Sequence, residues 1–297
     1  MVGITEYIEQ IYEDFSEYYD EGHSMCKLKE LTFEAGGLPD YNEIRIQQLY
    51  LLRYAFAYSF EYSWMYEDII ENFKNKPSIK VVSIGCGTRI DYWSLIYILK
   101  MYGMQSCSIY YVGIDKIDWN YKIEPRKKDK VYFRLDNVKN FFAKNKKFIF
   151  DIYFFPKSIS EFNDEEMDIM TNALSKKPIE KDTVYFCISI RSNRGSMDRD
   201  IEKIRKIIRA LRKNNYVTSA LDDKYTPFNE NKGIISFDRE FIYPKDALEY
   251  IKSLNKKCKK YLINGMNCEN NCKSYLTRWP VLKTDNIFYK IIKCERK

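Results

Sequence analysis

Val81-Val82-Ser83-Ile84-Gly85-Cys86-Gly87-Thr88-Arg89-Ile90-Asp91 is the stretch on which the reading of this chain turns. A β-branched, mostly apolar run enters a Gly-x-Gly turn, and an amphipathic stretch follows from Asp91 to Met101. That order predicts a strand, a tight turn and a helix N-terminus. Glycines let the backbone turn without a Cβ in the way, so a ligand can lie against bare peptide where the helix begins. A plain strand-to-helix turn with no ligand would have the same local sequence, so the neighbouring segments must decide.

Downstream of Ile79 strands and helices alternate. Strands are expected over Lys80–Ile84, Ser108–Ile114, Val131–Leu135, Phe148–Phe155 and Thr183–Ile190, with helices over Tyr92–Tyr102, Val138–Lys144, Glu165–Leu174 and Asp200–Asn214. This alternation predicts an α/β fold: a doubly wound, mostly parallel sheet with helices on both faces. After Asn215 the rhythm changes, and a late strand over Ile287–Cys294 is expected to run antiparallel at the edge. Upstream, Ile4–Tyr19 has helical apolar spacing, and Tyr41–Phe73 is a long helical pattern with aromatic residues nearly all round. Pro77-Ser78 marks a boundary, giving an N-terminal helical cover (1–78) and an α/β domain (79–297) with a Cys- and Lys-rich insert at about 256–285.

Composition limits what the chain can be. Its 297 residues, 45% hydrophobic, are enough for a sizeable core. No apolar run approaches the ~20 residues needed to cross a bilayer, and the acidic, amphipathic start is not a signal peptide. Eight Cys in a chain of this length read as reduced thiols, which places the protein in the cytoplasm as an expectation. The net charge of +7 is uneven: residues 1–79 hold 6 Lys/Arg against 15 Asp/Glu, and the stretch from Lys252 onward holds 12 against 3. A basic C-terminal half fits a polyanionic partner such as RNA, and also fits plain Lys-rich solvation.

Ligands of open α/β sheets bind at the carboxyl ends of the strands. Four features fall there: the Gly85-Cys86-Gly87 turn, Asp115 ending the second strand, Asp136-Asn137 ending the third, and Phe155-Pro156-Lys157-Ser158 leaving the fourth. A carboxylate at Asp115 can accept from both hydroxyls of a ribose, and Asp136-Asn137 can hydrogen-bond an adenine edge. Taken singly, each acid would be read as a helix cap or turn residue.

Val81–Asp91, Gly113-Ile114-Asp115, Leu135-Asp136-Asn137 and Phe150-Asp151-Ile152-Tyr153 together resemble the ordered motifs of class I S-adenosylmethionine-dependent methyltransferases. The resemblance runs from about Ile79 to the C-terminus and implies a Rossmann-like fold with a late antiparallel strand. It implies a methyl donor whose methionine part lies against Gly85, Cys86 and Gly87, whose ribose meets Asp115, and whose adenine lies by Asp136 and Asn137. Ser83, Lys116, Phe155 and Pro156 are further lining candidates. Two departures stand out: Ser83 is where the family often has an acid, and Arg89 is where it usually has a third glycine. They leave open a module that has lost turnover and only binds nucleic acid or a partner subunit. A nicotinamide-binding reading fits less well, because Gly85 and Asp115 are 30 positions apart and not about 20.

Lys157 and Glu161 are the catalytic candidates, for substrate contact or proton handling, although neither the amide-acceptor motif for amino methylation nor a Pro-Cys nucleophile is present. Cys258, Cys268, Cys272 and Cys294 would satisfy a tetrahedral zinc ion, but their irregular gaps fit four separate thiols as well. Lys256, Lys257, Lys259, Lys260, Lys273 and Arg278 mix with Tyr261, Tyr275 and Trp279, a composition suited to single-stranded RNA or to a solvated edge.

Overall fold

A computed structural model describes residues 3–31, 39–190, 194–218, 226–227, 235–236, 241–258, 276–284 and 287–297. The chain forms two compact units. One comprises residues 1–60, 119–122 and 234–284; the other comprises 61–118, 123–233 and 285–297. The segment 1–78 set apart in the sequence reading is thus shared between them. The physical reason lies in the long helix: from Glu61 onward its side chains belong with the sheet.

In the first unit, α1 (Ile4–Asp20) buries Ile4, Tyr7, Ile8, Ile11, Phe15 and Tyr19 along one face, as its spacing predicts. The helix α2 (Ile44–Ile70) begins in this unit. Segment 119–122 is tied to both helices: Gln47 Oε1 accepts from Asn120 N (2.9 Å), and Tyr121 donates its hydroxyl to Asp14 (2.6 Å). Tyr243 donates to the Leu52 carbonyl (2.7 Å) and Tyr250 to Asp20 (3.0 Å), fastening the later part of the chain.

The second unit is built on a sheet whose strands, with their ranges, are β1 (Ser78–Ile84), β2 (Ser108–Asp115), β3 (Lys130–Leu135), β4 (Ile152–Phe155), β5 (Thr183–Ser189), β6 (Tyr216–Thr218) and β7 (Phe288–Arg296). Their spatial order is β3-β2-β1-β4-β5-β7-β6, with Thr226–Pro227 adding a two-residue pairing against Phe288 and Tyr289. Strands β1 to β5 are parallel, and β7 runs antiparallel to both β5 and β6. This is a Rossmann-like, doubly wound sheet. The late antiparallel strand is present as expected, one position in from the edge, with β6 outside it. Among the described residues no helix is long and apolar enough to cross a membrane.

Helices cover both faces. The helices α4 (Val138–Lys144), α5 (Asp164–Lys176) and α6 (Arg194–Lys213) enclose a core with Val82, Ile84, Val112, Ile114, Phe155 and Phe186. On the other face α3 (Ile90–Met101) packs Tyr92 against Tyr111, and α2 stacks Tyr66 on Phe154 (4.8 Å, 19°). The fourth strand is shorter than the apolar run from Phe148 predicts. Its first half is displaced by Asp151, a buried carboxylate that accepts the Lys80 N–H (2.8 Å) and pairs with Lys76 and Lys181. Phe148 forms a single bridge with Ile179 instead.

Candidate functional site

The order of the strands reverses between β1 and β4, so the crevice where ligands bind in such sheets opens at the C-terminal ends of these two strands. The turn that leaves β1 reaches this point with three left-handed residues: Gly85 (φ +75°), Gly87 (φ +53°) and Arg89 (φ +69°). Two amides of the turn, Gly85 N and Cys86 N, donate to the Ile114 carbonyl at 2.7 and 3.1 Å. The next free amide, Gly87 N, donates to Asp115 Oδ2 at 2.8 Å. The Gly-x-Gly turn and the carboxylate that ends β2 are therefore in direct contact, as the sequence pattern required. Asp115 Oδ1 accepts from Ile117 N (2.9 Å), which fixes the carboxylate's orientation.

Close packing leaves no room for side chains at two glycines. A Cβ on Gly85 would come within 2.5 Å of the Ser158 Cβ, and one on Gly113 within 2.7 Å of the Cys86 Sγ. Ser158 in turn donates its hydroxyl to the Ile84 carbonyl, so the loop leaving β4 is locked against the end of β1. Gly85→Ala is accordingly expected to lower stability by about 2–4 kcal/mol, since it combines a strained φ with a clash that the fixed Ser158 cannot relieve. Chemical denaturation would measure it; a change below about 0.5 kcal/mol would mean that the turn has slack.

Beneath the turn lies a buried polar group of residues. Asp91, in the first turn of α3, is fully buried and accepts from the Tyr111 hydroxyl at 2.9 and 3.1 Å. Burial pushes its carboxyl up to about 7, against the lowering effect of Ser83, Tyr111 and nearby amides. The Ser83 hydroxyl lies beside this carboxylate but completes no well-formed hydrogen bond, and the buried Tyr66 hydroxyl has none either. Cys86 is buried too, and its thiol is held well above the usual range by burial and then by Asp115 and Asp91, with Arg89 opposing them. The thiolate, the nucleophilic form, is disfavoured there for that reason.

Asp136 and Asn137 end β3 as expected. Asp136 N donates to the Asp115 carbonyl (2.9 Å), which places the two strand ends side by side. Asn137 caps α4 by accepting from Asn140 N (2.9 Å), the cap role that a residue after a strand suggests, and Asp136 accepts from the Asn140 side-chain amide (2.7 Å). Lys116 is exposed beside Asp115. Phe155 is elsewhere: it points into the α4–α6 core with no exposure, packed against Phe162 and Phe186. Its neighbour Phe154 faces α2.

The loop after β4 carries Pro156 and then Lys157 in the left-handed region (φ +57°). The Lys157 ammonium donates to Glu61 Oε1 and to the Ile190 carbonyl, both at 2.7 Å. Ser189, at the end of β5, donates to the same Glu61 oxygen. Glu61 escapes notice in the sequence because it lies inside the aromatic run of α2. Its one signal is an isolated acid within Phe60-Glu61-Tyr62. Glu161 ends a short 3-10 turn (Ile159–Glu161), half-buried.

Among the described residues no group of three or more His, Cys, Asp and Glu is arranged to hold a metal ion. Cys294 lies in the core of the sheet and Cys258 is buried in the other unit, while Cys268 and Cys272 fall outside the described residues. The same holds for Lys259, Lys260, Lys273, Tyr261 and Tyr275 of the basic, aromatic stretch. Of its described members, Lys257 pairs with Asp20 (3.2 Å) and lies over the Tyr250 ring.

No family model matches the chain, and no curated protein matches it in sequence. Solved structures with partial likeness include the plantazolicin methyltransferase BpumL in complex with SAH, at 15% identity and a TM-score of 0.42 over 97% of this chain and 100% of that one. A SAM-dependent methyltransferase from Archaeoglobus fulgidus overlaps at 13% identity and a TM-score of 0.41, over 79% of this chain and 92% of that one. The YcgJ protein from Bacillus subtilis overlaps at 10% identity and a TM-score of 0.39, over 79% and 98%. At these values none of them assigns a function to this chain.

Proposed function

We propose that this chain is an S-adenosylmethionine-dependent methyltransferase, with RNA or another anionic molecule as acceptor. The observation that carries the reading is the 2.8 Å bond from Gly87 N to Asp115. It brings bare, left-handed peptide and a ribose-binding carboxylate to one point at the sheet's switch. The residues present fit such a donor in the bare Gly85–Gly87 peptide against Asp115 and in the buried polar atoms on Ser83 and Arg89 that have no hydrogen-bond partner.

When bound, the donor supplies an electrophilic methyl group on a sulfonium. The chain's own contribution is orientation. Asp115, pinned by Gly87 N and Ile117 N, presents its remaining lone pairs to a ribose. Glu61, Lys157 and Ser189 hold the loop that borders the reacting end, and an ammonium held this way donates hydrogen bonds and does not abstract a proton. Positioning of this kind can supply most of the acceleration in a displacement at a pre-activated methyl.

Isothermal titration with S-adenosylhomocysteine tests the reading. Binding in the micromolar range is expected, weakened about 30-fold or more by Asp115→Ala; absence of heat from the folded wild-type chain would dismiss it. The acceptor rests on the basic charge beyond Lys252. Affinity for single-stranded RNA should therefore fall steeply between 50 and 200 mM salt, by roughly tenfold or more. A rival reading, a binding module without turnover, draws on Ser83 and Arg89. It predicts the same RNA affinity with no response to S-adenosylhomocysteine.

A further inference from the structure

Glu61 uses only one of its two carboxylate oxygens to hold the loop after β4. The Lys157 ammonium (2.7 Å) and the Ser189 hydroxyl both donate to Oε1, and among the described residues nothing donates to Oε2. The residue as a whole is 6% exposed, yet Oε2 is not one of the chain's polar atoms that are sealed from solvent without a partner. What surface Glu61 keeps thus includes this oxygen. Pro156 and Lys157, on the adjoining loop, are partly exposed as well, so the cluster opens at its rim.

Lys157 and Ser189 stand at the C-terminal ends of β4 and β5, and Ser158, the residue after Lys157, packs against Gly85. An acid from α2 is thereby fixed at the end of the sheet that carries the Gly85–Gly87 turn. Lys157 holds it from a left-handed backbone (φ +57°), a conformation that any residue with a Cβ resists. Strain of this kind persists where the surroundings impose it, and it gathers at functional sites. Apolar residues of similar volume often replace a buried ion pair with no loss of stability, so the pair calls for another use.

We infer that Oε2 of Glu61 receives the methyl acceptor, and that the acceptor atom is the exocyclic amino nitrogen of a nucleobase. The inference rests on the proposed function and adds to it the group that is methylated. Lys157 neutralises the carboxylate and Ser189 fixes its plane, so Oε2 is a rigid hydrogen-bond acceptor for an uncharged N–H. A carboxylate is too weak a base to deprotonate an alcohol, but it readily takes the proton of an amine that alkylation has made cationic. In the step so defined, the nitrogen lone pair forms the N–C bond and the C–S bond breaks with its electrons to sulfur. One N–H proton passes to Oε2 and carries away the positive charge that the sulfonium brought.

Binding tests this without turnover. Uridine oligomers carrying one adenine, cytosine or guanine are titrated beside the same oligomers with that amino group N,N-dimethylated, which removes its N–H. For at least one base, wild type is expected to bind the amino form about tenfold more tightly or better, and Glu61→Gln should erase the gap. Glutamine keeps an oxygen for Lys157 and Ser189 and puts an amide nitrogen where Oε2 was. The variant should therefore stay folded and bind S-adenosylhomocysteine within about threefold of wild type. With methyl-labelled S-adenosylmethionine and mixed-sequence single-stranded RNA, label should be recovered on base amino nitrogens, and Glu61→Gln should slow transfer about 100-fold. No gap for any base in wild type, a gap that persists in Glu61→Gln, or label absent from base amino nitrogens would overturn the inference while sparing the methyltransferase reading. Should the variant fail to fold, the wild-type gap and the position of the label decide the matter on their own. Absence of S-adenosylhomocysteine binding by wild type would overturn both.

Discussion

Glu61→Ala is expected to destabilise the protein by about 3–5 kcal/mol, the usual consequence of removing one member of a buried ion pair. Glu61 and Lys157 are buried to nearly the same degree, with side-chain exposures of 7% and 14%. The deletion strips two donors at once, the Lys157 ammonium and the Ser189 hydroxyl. The ammonium keeps its bond to the Ile190 carbonyl but loses its counter-ion. The midpoint of thermal unfolding should drop by roughly 10 °C. Glu61→Gln should lose much less, because the amide oxygen still accepts. Pairing Glu61→Ala with Lys157→Met should recover part of the loss, and the double-mutant cycle should give a coupling above about 1 kcal/mol. Additive single losses would mean that the pair is incidental, and that the loop after β4 is held by its other bonds, from Ser158 to Ile84 and from Lys203 to Ile159 and Ser160.

Asp91→Asn has the opposite sign. With its folded-state value near 7 against an ordinary 3.8, the carboxyl binds its proton more tightly in the folded chain. Stability from this group is therefore fully present below pH 3.8 and is lost as pH rises to about 7. At pH 8 the ionised acid should cost on the order of 4 kcal/mol, which the neutral amide avoids while still accepting from Tyr111. The variant should thus melt higher than wild type at pH 8, by roughly 5–10 °C, with the gap closing toward pH 4. A gap that is the same at both pH values would show that Asp91 is solvated or paired, and the buried cluster would need a different account.

What the sequence made legible followed from local pattern. The β1 turn and the end of β2 could be placed because glycine at a left-handed position and an acid after a β-branched run have few other readings. Asp136 and Asn137 could be placed at the end of β3, and the cap reading holds for Asn137, which accepts from Asn140 N. Phe155 was misplaced because Ile152–Phe155 is apolar on both faces, and an unbroken apolar run does not tell which of two adjacent phenylalanines faces the core. Lys157 was noticed, but its partner Glu61 lies 96 positions earlier, beyond any local signal. The division into units was illegible for the same reason: residues 119–122 join α1 and α2 through Gln47, Gln48 and Asp14, contacts that no composition shift announces. Asp91 carried the subtlest signal. In the sequence it only opens an amphipathic stretch, and its burial beside Tyr111 is what shows that it is not in water.

The central claim is that the Gly85–Gly87 turn and Asp115 grip one nucleoside-bearing molecule. A crystal of the chain grown with S-adenosylhomocysteine tests it most directly. The account predicts ligand density along the turn, with both ribose hydroxyls on the Asp115 carboxylate. Density bound elsewhere, or a side chain filling the space between turn and carboxylate at saturating ligand, would contradict it.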